Sequence, residues 1–278
     1  MRRIISYMIV TVACVLMVCI AHTVSGAAVV GSVACEAPMG KTARTPAPTD
    51  FTAVGTVAPI AGVSEQLLAR TSYLVSYNAD TRCPNWVAWR LTASHTSGDV
   101  DRMGNAFHED AEVPEPRATK GDYRKSGYSR GHMCPAGDNK WSRDAMYETF
   151  LLSNVCPQNA NLNSGLWNQI EISCRRWAEK YGDLYIVCGP MYFRSRRIER
   201  IGPNQVAVPD AFFKVILCLN GKPRAIGFIC RNTSGNKRKD MYVNTLQQVE
   251  RLTGLHFFPQ LDSATRALVQ DHADINEW

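Results

Sequence analysis

The chain has 278 residues, of which 45% are hydrophobic and 20% are charged, and this composition excludes intrinsic disorder over most of its length. The length allows one sizeable hydrophobic core or two small ones. The formal net charge of +6 at pH 7 is compatible with a polyanionic partner but too small to establish one.

Residues 1–26 have the features of a targeting segment. Two arginines precede an apolar run from Ile4 to Ala21, and small residues follow this run. The order is typical of a secretory signal peptide and predicts an exported protein that is periplasmic, envelope-associated or secreted. The apolar run is also about as long as a membrane span requires. An uncleaved N-terminal anchor is therefore one alternative, and lipidation at Cys35 is another; either would bring the protein to a membrane.

Eight of the ten cysteines lie beyond this leader. In an exported protein, an even number of cysteines favours disulfide bonds over free thiols. No two of the eight are separated by only two to four residues, which is the usual spacing of zinc ligands. The sequence therefore predicts disulfide bonds, without indicating their pairing, and disfavours a zinc site.

Beyond the leader, the chain is expected to form a linker at residues 27–64 and a folded domain at residues 65–278. The start of the linker is rich in proline, threonine and alanine and has no apolar period, which is typical of a tether. The folded domain begins with two β-rich runs, Tyr73–Tyr77 and Trp86–Leu91, separated by a Cys-Pro-Asn turn. This order predicts a β-hairpin.

Strands and helices alternate irregularly through the rest of the domain. Some segments carry apolar residues at helical spacing, and others are short apolar runs typical of buried strands. Because no regular strand–helix–strand repeat is present, the sequence predicts an α+β fold. We expect helices at Ser142–Phe150, Ser164–Tyr181, Asp240–Leu252 and Ser263–Gln270, and strands at Leu184–Cys188, Phe212–Leu219 and Ala225–Cys230.

Residues 128–171 hold a set of side chains suited to phosphodiester hydrolysis. This reaction needs an activated water, an electrophile for the charge that develops on the phosphate, and stabilisation of the leaving oxygen. A neutral histidine (His132), a hard divalent cation on an asparagine carbonyl (Asn163) and an arginine (Arg130) can supply them. From the residues alone, a structural histidine and a helix-capping or turn asparagine are equally good interpretations.

The same segment resembles the DNA/RNA non-specific endonucleases with a ββα-metal active site, which include secreted bacterial nucleases and mitochondrial endonuclease G. The hallmark of that family is Asp-Arg-Gly-His, then Ser-Asn-x-x-Pro-Gln, then Leu-Asn-x-x-x-Trp-x-x-x-Glu. This chain matches it except at Ser129, where the family has aspartate. Further matches, including Trp86–Ala88 and Val208–Val215, extend the resemblance over roughly residues 72–260. It implies a ββα-metal motif set against a mixed, mainly antiparallel sheet.

The resemblance also implies a role for each matching position. His132 would be the general base, and Asn163 would bind Mg²⁺, or Mn²⁺, directly. Glu171 lies eight residues further along the same predicted helix, about 12 Å along its axis, so it would bind the metal through water; a solvated helix carboxylate is the alternative. Arg130 and Arg102 would contact phosphate. Two supporting residues would shape the site by hydrogen bonding, namely Asn154 and Gln158.

Taken together, these roles predict a metal-dependent endonuclease that cleaves DNA and RNA without sequence preference. No cofactor besides the metal and no stable protein partner are implied, and a homodimer is compatible with the sequence. Two alternatives remain: a catalytically inactive nucleic-acid-binding domain of the same fold, and a metallohydrolase of small phosphodiesters. Ser129 is expected to shift metal affinity or the pH optimum without removing activity.

Overall fold

A seven-stranded antiparallel sheet forms the centre of the protein. The structure is a computed structural model that describes residue 51 and residues 54–102, 104, 106–193 and 197–278. Its strands are β1 (Gln66–Ala69), β2 (Leu74–Asn78), β3 (Cys83–Leu91), β4 (Ser129–His132), β5 (Val155–Gln158), β6 (Leu184–Met191), β7 (Arg200–Ile201), β8 (Val206–Ala207), β9 (Ala211–Cys218), β10 (Arg224–Arg231) and β11 (Val243–Asn244). Its helices are α1 (Ala93–Thr96), α2 (Lys120–Tyr123), α3 (Arg143–Glu148), α4 (Ala160–Leu162), α5 (Asn168–Tyr181), α6 (Leu246–Thr253) and α7 (Ser263–Val269).

The strand order in the large sheet is β1-β2-β3-β6-β9-β10-β11, and both of its faces are covered. All eight residues of β9 are buried, as expected for a continuous apolar run in the middle of a two-sided sheet. Alternate residues of a strand point to opposite faces, so β9 contributes to two hydrophobic cores. Phe212 and Ile216 belong to the first core, and Phe213 and Val215 belong to the second.

The two cores have different covers. The first core lies under α5, whose buried side from Ile170 to Ala178 packs against β3 and β6. The second core lies under α6 and α7, which pack on β9 and β10. The functional residues named by the sequence fall on the first side of the sheet, together with the small β4–β5 sheet.

The folded part begins earlier than the predicted boundary at residue 65. Phe51, Val54 and Val57 are buried in the second core, and Val57 forms a β-bridge with Phe257. These apolar side chains cover the sheet, so the segment from residue 54 to residue 64 belongs to the domain and is not a linker. The predicted leader, Cys35 and the rest of the linker lie outside the described residues. Within the described part, no helix has the length and apolar character needed to cross a membrane.

The predicted α+β class and antiparallel sheet are confirmed. The predicted hairpin is β2–β3, although Cys83 and Pro84 lie inside β3 and do not form the turn. The helix predicted at Asp240–Leu252 is wrong in its first half. There, a short 3₁₀ turn leads into β11, which pairs with β10. The helix starts at Leu246 because Thr245 caps it: the Thr245 hydroxyl accepts a hydrogen bond from the Gln248 backbone N–H.

The disulfide prediction is wrong for the seven cysteines that the structure describes. All seven are free and buried, as Cys83, Cys134, Cys156, Cys174, Cys188, Cys218 and Cys230. They pack as small apolar residues, and free cysteine is often buried in this way. Burial raises the pKa of the Cys188 thiol to about 12, against the lowering effect of Lys214. Such a thiol carries little of the thiolate needed for reaction.

Since no described cysteine pair is linked, a reducing agent should leave the thermal stability of the protein unchanged. A disulfide typically contributes about 2–4 kcal/mol, which would appear as a shift of several degrees in Tm. Differential scanning fluorimetry with and without dithiothreitol measures this shift, and thiol titration in denaturant counts the free cysteines. A fall of several degrees on reduction would contradict the free-thiol arrangement.

Candidate active site

A cleft of about 1170 Å³ opens on the α5 side of the sheet. Five of the seven predicted site residues line it, although they come from separate parts of the chain: Arg102, Arg130, His132, Asn163 and Glu171. The other two, Asn154 and Gln158, are fully buried beneath it. The fold therefore brings together, in one cleft, the residues that the sequence pattern grouped.

His132 lies on β4, which pairs with β5. Ser129–His132 pairs antiparallel with Val155–Gln158, and His132 lies opposite Val155. Asn154 fixes the chain just beyond His132. Its side-chain oxygen accepts a hydrogen bond from the Cys134 N–H at 2.9 Å, and its amide nitrogen donates to the carbonyls of Cys134 and Thr149, both at 2.9 Å. These bonds fit the supporting function expected of Asn154.

Gln158 lies on β5 and contacts β4 by packing. Its side-chain amide has no hydrogen-bond partner within the described residues, which differs from the hydrogen-bonding function expected for it. The Gln158 side chain lies directly against Gly131. A Cβ atom on Gly131 would be 2.1 Å from the Gln158 Oε1 and 2.6 Å from its Cβ. Glycine is therefore required at residue 131 for this close approach.

Two phenylalanine rings surround the imidazole of His132. The Phe107 ring centroid is 4.9 Å away, and the Phe150 ring is 5.1 Å away in an edge-on arrangement. Burial, and then the positive charge of Arg102, lowers the pKa of His132 to about 3. The Nε2 atom is shielded from solvent and has no hydrogen-bond partner among the described residues. The ring is therefore neutral near pH 7, and a neutral imidazole has one unprotonated nitrogen that can accept a proton.

The same two phenylalanines position the two arginines. The Arg130 guanidinium lies 4.8 Å from the Phe107 ring centroid, and that of Arg102 lies 5.9 Å from the Phe150 centroid. Both distances are within the range of cation–π contacts. Phe107 and Phe150 therefore each contact both the imidazole and one of the two guanidinium groups. All three groups lie at one cleft. Phe150 belongs to no motif in the sequence, so sequence analysis missed it.

The predicted helix at Ser164–Tyr181 is not regular at its start. Asn163–Trp167 form a wide π-helical turn, in which Gly165 departs from helical geometry. In a regular α-helix, side chains eight residues apart point about 80° away from each other, and one extra residue in a turn reduces this to about 20°. The wide turn therefore brings Asn163 and Glu171 closer to one line along the helix, and both line the cleft.

Glu171 lies in a network of buried charges. It is half-buried in the cleft wall, so it is not the solvated helix carboxylate that sequence left as an alternative. Burial raises the pKa of Glu171 to about 7, although nearby Lys214 lowers it. Arg175, one helical turn further on, donates to Asp138 at 2.9 Å. Sequence analysis missed Asp138, Arg175 and Lys214; the four-residue spacing of Glu171 and Arg175 on a helix was the only signal.

Asn232 forms hydrogen bonds that link the end of β5 to the start of α4. Its side-chain oxygen accepts a hydrogen bond from the Asn159 N–H at 2.7 Å, and its amide nitrogen donates to the carbonyls of Pro157 and Pro209 at 3.1 and 2.8 Å. Asn159 caps α4, and its carbonyl accepts from the N–H of Asn163. A single amide therefore ties the end of β5 to the helical segment that begins at α4.

Residues 50–264 match the family model described as DNA/RNA non-specific endonuclease. The mitochondrial nuclease EXOG of Mus musculus is 39% identical over 220 residues, which cover 73% of this chain and 59% of that protein. Mitochondrial endonuclease G of Bos taurus is 34% identical over 209 residues and 70% of each chain. A crystal structure of an EndoG/EndoGI complex has a TM-score of 0.69 and 32% identity, and covers 74% of this chain and 89% of that one.

These relatives contradict the expectation of export. EXOG and endonuclease G are named as mitochondrial proteins, and this finding overturns the expectation of an exported protein. The expectation rested on two arginines and an apolar run. Positive charge at the N-terminus is common to secretory signals and mitochondrial transit peptides, so it does not distinguish the two compartments. The seven free cysteines agree with this correction.

Gly131→Ala should lower both stability and turnover. The added Cβ would overlap the buried Gln158 side chain, so the β4–β5 pairing must open or shift, and His132 is the next residue. A displacement of about 1 Å at a reacting group costs about 10²-fold in rate. Nuclease activity and Tm are measured beside Gly121→Ala, where the nearest atom is 3.3 Å away. Unchanged activity in Gly131→Ala would show that the close approach is unnecessary.

The depressed pKa of His132 should appear in the pH dependence of stability. The unfolded imidazole binds a proton below its ordinary pKa of 6.5, whereas the folded one does so only below about 3. Stability from this residue is thus complete above pH 6.5 and is lost as the pH falls toward 3. His132→Asn should therefore flatten the decline of Tm between pH 7 and pH 4. The control, His272→Asn, removes a side chain that is 59% exposed and should leave the slope as in the wild type.

Proposed function

Because this chain belongs to the DNA/RNA non-specific endonuclease family, we propose that it is a metal-dependent endonuclease that hydrolyses phosphodiester bonds in DNA and RNA. The chain spans 56% to 60% of the length of its EXOG relatives, so the activity of the whole protein is part of the proposal. The observation that carries it is the meeting of a neutral histidine, two arginines and two oxygen donors in one cleft.

The oxygen donors suit a hard divalent cation. Asn163 and Glu171 face the cleft together, and Mg²⁺ commonly takes only one or two protein oxygens while keeping several waters. Among the described residues, no group of three or more histidine, cysteine, aspartate or glutamate side chains could hold a metal, which argues against a zinc cage there. We infer that Asn163 binds Mg²⁺ or Mn²⁺ directly and that Glu171 contacts it through water. When bound, the cation would supply positive charge to the phosphate oxygens.

His132 would start the reaction. Its unprotonated ring nitrogen would take a proton from a water molecule, whose oxygen then attacks phosphorus while the bond to the leaving oxygen breaks. The aromatic surroundings of His132 keep it neutral and ready to accept this proton. Arg130 and Arg102 would bind the phosphate and offset its growing negative charge. Contacts to phosphate carry no base information, which supports cleavage without sequence preference.

Ser129 would play a supporting part. It lies on the cleft at the start of β4, opposite Gln158. A hydroxyl can donate and accept hydrogen bonds there but brings no negative charge to the neighbouring Arg130. The base and the metal ligand are present at His132 and Asn163, so the absence of the family's aspartate is expected to tune metal affinity or the pH optimum.

Two other functions fit less well. An inactive nucleic-acid-binding domain would not need a shielded neutral histidine beside paired oxygen donors. An enzyme of small phosphodiesters fits less well because the family model that the chain matches is described as a DNA/RNA non-specific endonuclease, which favours a polymeric substrate.

Purified protein should nick supercoiled plasmid and degrade RNA in Mg²⁺, lose both activities in EDTA, and regain them with excess Mg²⁺ or Mn²⁺. His132→Ala should lower turnover by about two to four orders of magnitude, the usual contribution of a general base, and Asn163→Ala should be comparably damaging. Asn220→Ala, whose amide bonds the Tyr181 carbonyl and does not line the cleft, is the control. Full activity in EDTA, or near-native turnover in His132→Ala, would refute the mechanism.

A further inference from the structure

Lys214 is a charged residue in the middle of the first core. It lies on β9, where every neighbouring residue is buried, and its own exposed fraction is 0%. Its Nζ atom has no hydrogen-bond partner among the described residues. Burying an ammonium group without hydrogen bonds is costly, so an apolar residue at this position would be expected unless the charge has a purpose.

Two tryptophan rings hold the ammonium group. The Nζ of Lys214 is 4.5 Å from the Trp167 ring centroid and 5.0 Å from that of Trp89. Each distance is within cation–π range, and such contacts strengthen when desolvated. Lys214 shares a strand face with Phe212 and Ile216, which belong to the first core. Because α5 covers that core, the Lys214 side chain points toward α5 and the cleft.

Each tryptophan donates a hydrogen bond that connects it to residues at the cleft. The Trp167 indole N–H donates to the backbone carbonyl of His132 at 3.4 Å. The Trp89 indole donates to Asp138 at 3.0 Å, and Asp138 accepts from Arg175 on the cleft wall. The ammonium group also attracts Glu171 and Asp138 electrostatically. Lys214 is thus connected to both the base and the metal-side carboxylate without touching the substrate.

We propose that Lys214 is a positioning residue for the nuclease reaction. Held between Trp89 and Trp167, it fixes Trp167 under the His132 strand and provides the positive charge that orients the Glu171 carboxylate from below. The proposal rests on the proposed function, since it concerns the placement of the same base and metal-side carboxylate. Buried groups that orient metal ligands typically affect metal affinity or activity by about 10–100-fold.

Lys214→Met tests the charge while keeping an unbranched side chain that is one heavy atom shorter. The buried ammonium group has no hydrogen-bond partner among the described residues, so removing it removes a desolvation cost, and Tm should stay the same or rise. Turnover on duplex DNA in Mg²⁺ should nevertheless fall by about 10–100-fold, Mn²⁺ affinity measured by electron paramagnetic resonance should weaken, and KM should change little. Lys180→Met is the matched control, because that lysine makes a surface cation–π contact with Tyr181 at 4.4 Å.

The outcomes separate the two proposals. If wild type cleaves DNA and Lys214→Met keeps native turnover and Mn²⁺ affinity, the positioning function of Lys214 is refuted while the nuclease proposal stands. If wild type cleaves nothing, the nuclease proposal fails, and Mn²⁺ affinity alone decides for Lys214. Should Lys214→Met fail to fold, Trp167→Phe removes the indole N–H but keeps an aromatic ring at that position. A folded Trp167→Phe variant with native turnover would also overturn the proposal.

Discussion

The pairing of β4 with β5 is the constraint on which the candidate site depends. It sets His132 at the floor of the cleft, and it is possible only because Gly131 lets the Gln158 side chain approach the strand closely. The end of β5 leads directly to α4 and to Asn163, and Asn232 locks this junction with three hydrogen bonds. The base lies on β4 and the proposed metal ligand follows β5, so the pairing of these two strands places both.

Desolvation controls the charge of the groups around this junction. It lowers the pKa of His132 to about 3 and raises that of Glu171 to about 7, because burial penalises the charged form of either residue. Arg102 acts in the same direction on His132, whereas Lys214 acts against burial on Glu171. Burial favours the neutral form of both groups, so a nearby cation is needed only for the carboxylate, where the ionised form is required. Lys214 is a cation that lies near Glu171.

The break at the start of α5 serves the same arrangement. The wide turn at Asn163–Trp167 brings Asn163 and Glu171 closer to one line along the helix, and both line the cleft. π-helical turns are rare and often occur at functional sites. The same segment places Trp167 between the His132 carbonyl and the Lys214 ammonium group. The irregular turn therefore positions residues both at the surface of the cleft and beneath it.

Local sequence determined much of this protein. Apolar runs predicted β6, β9 and β10, and the resemblance to the family hallmark identified Arg130, His132, Asn163 and Glu171, which meet in one cleft. Neither signal assigned a function to Phe150, Asp138 or Lys214, although all three lie within or beside the matching segments, because they act through packing and buried charge. Nor could the sequence settle the state of the cysteines, since thiol pairing depends on distances between strands. A charge such as that of Lys214 looks ordinary in a sequence; only the tertiary structure shows that it is enclosed, since burial is a property of the whole fold.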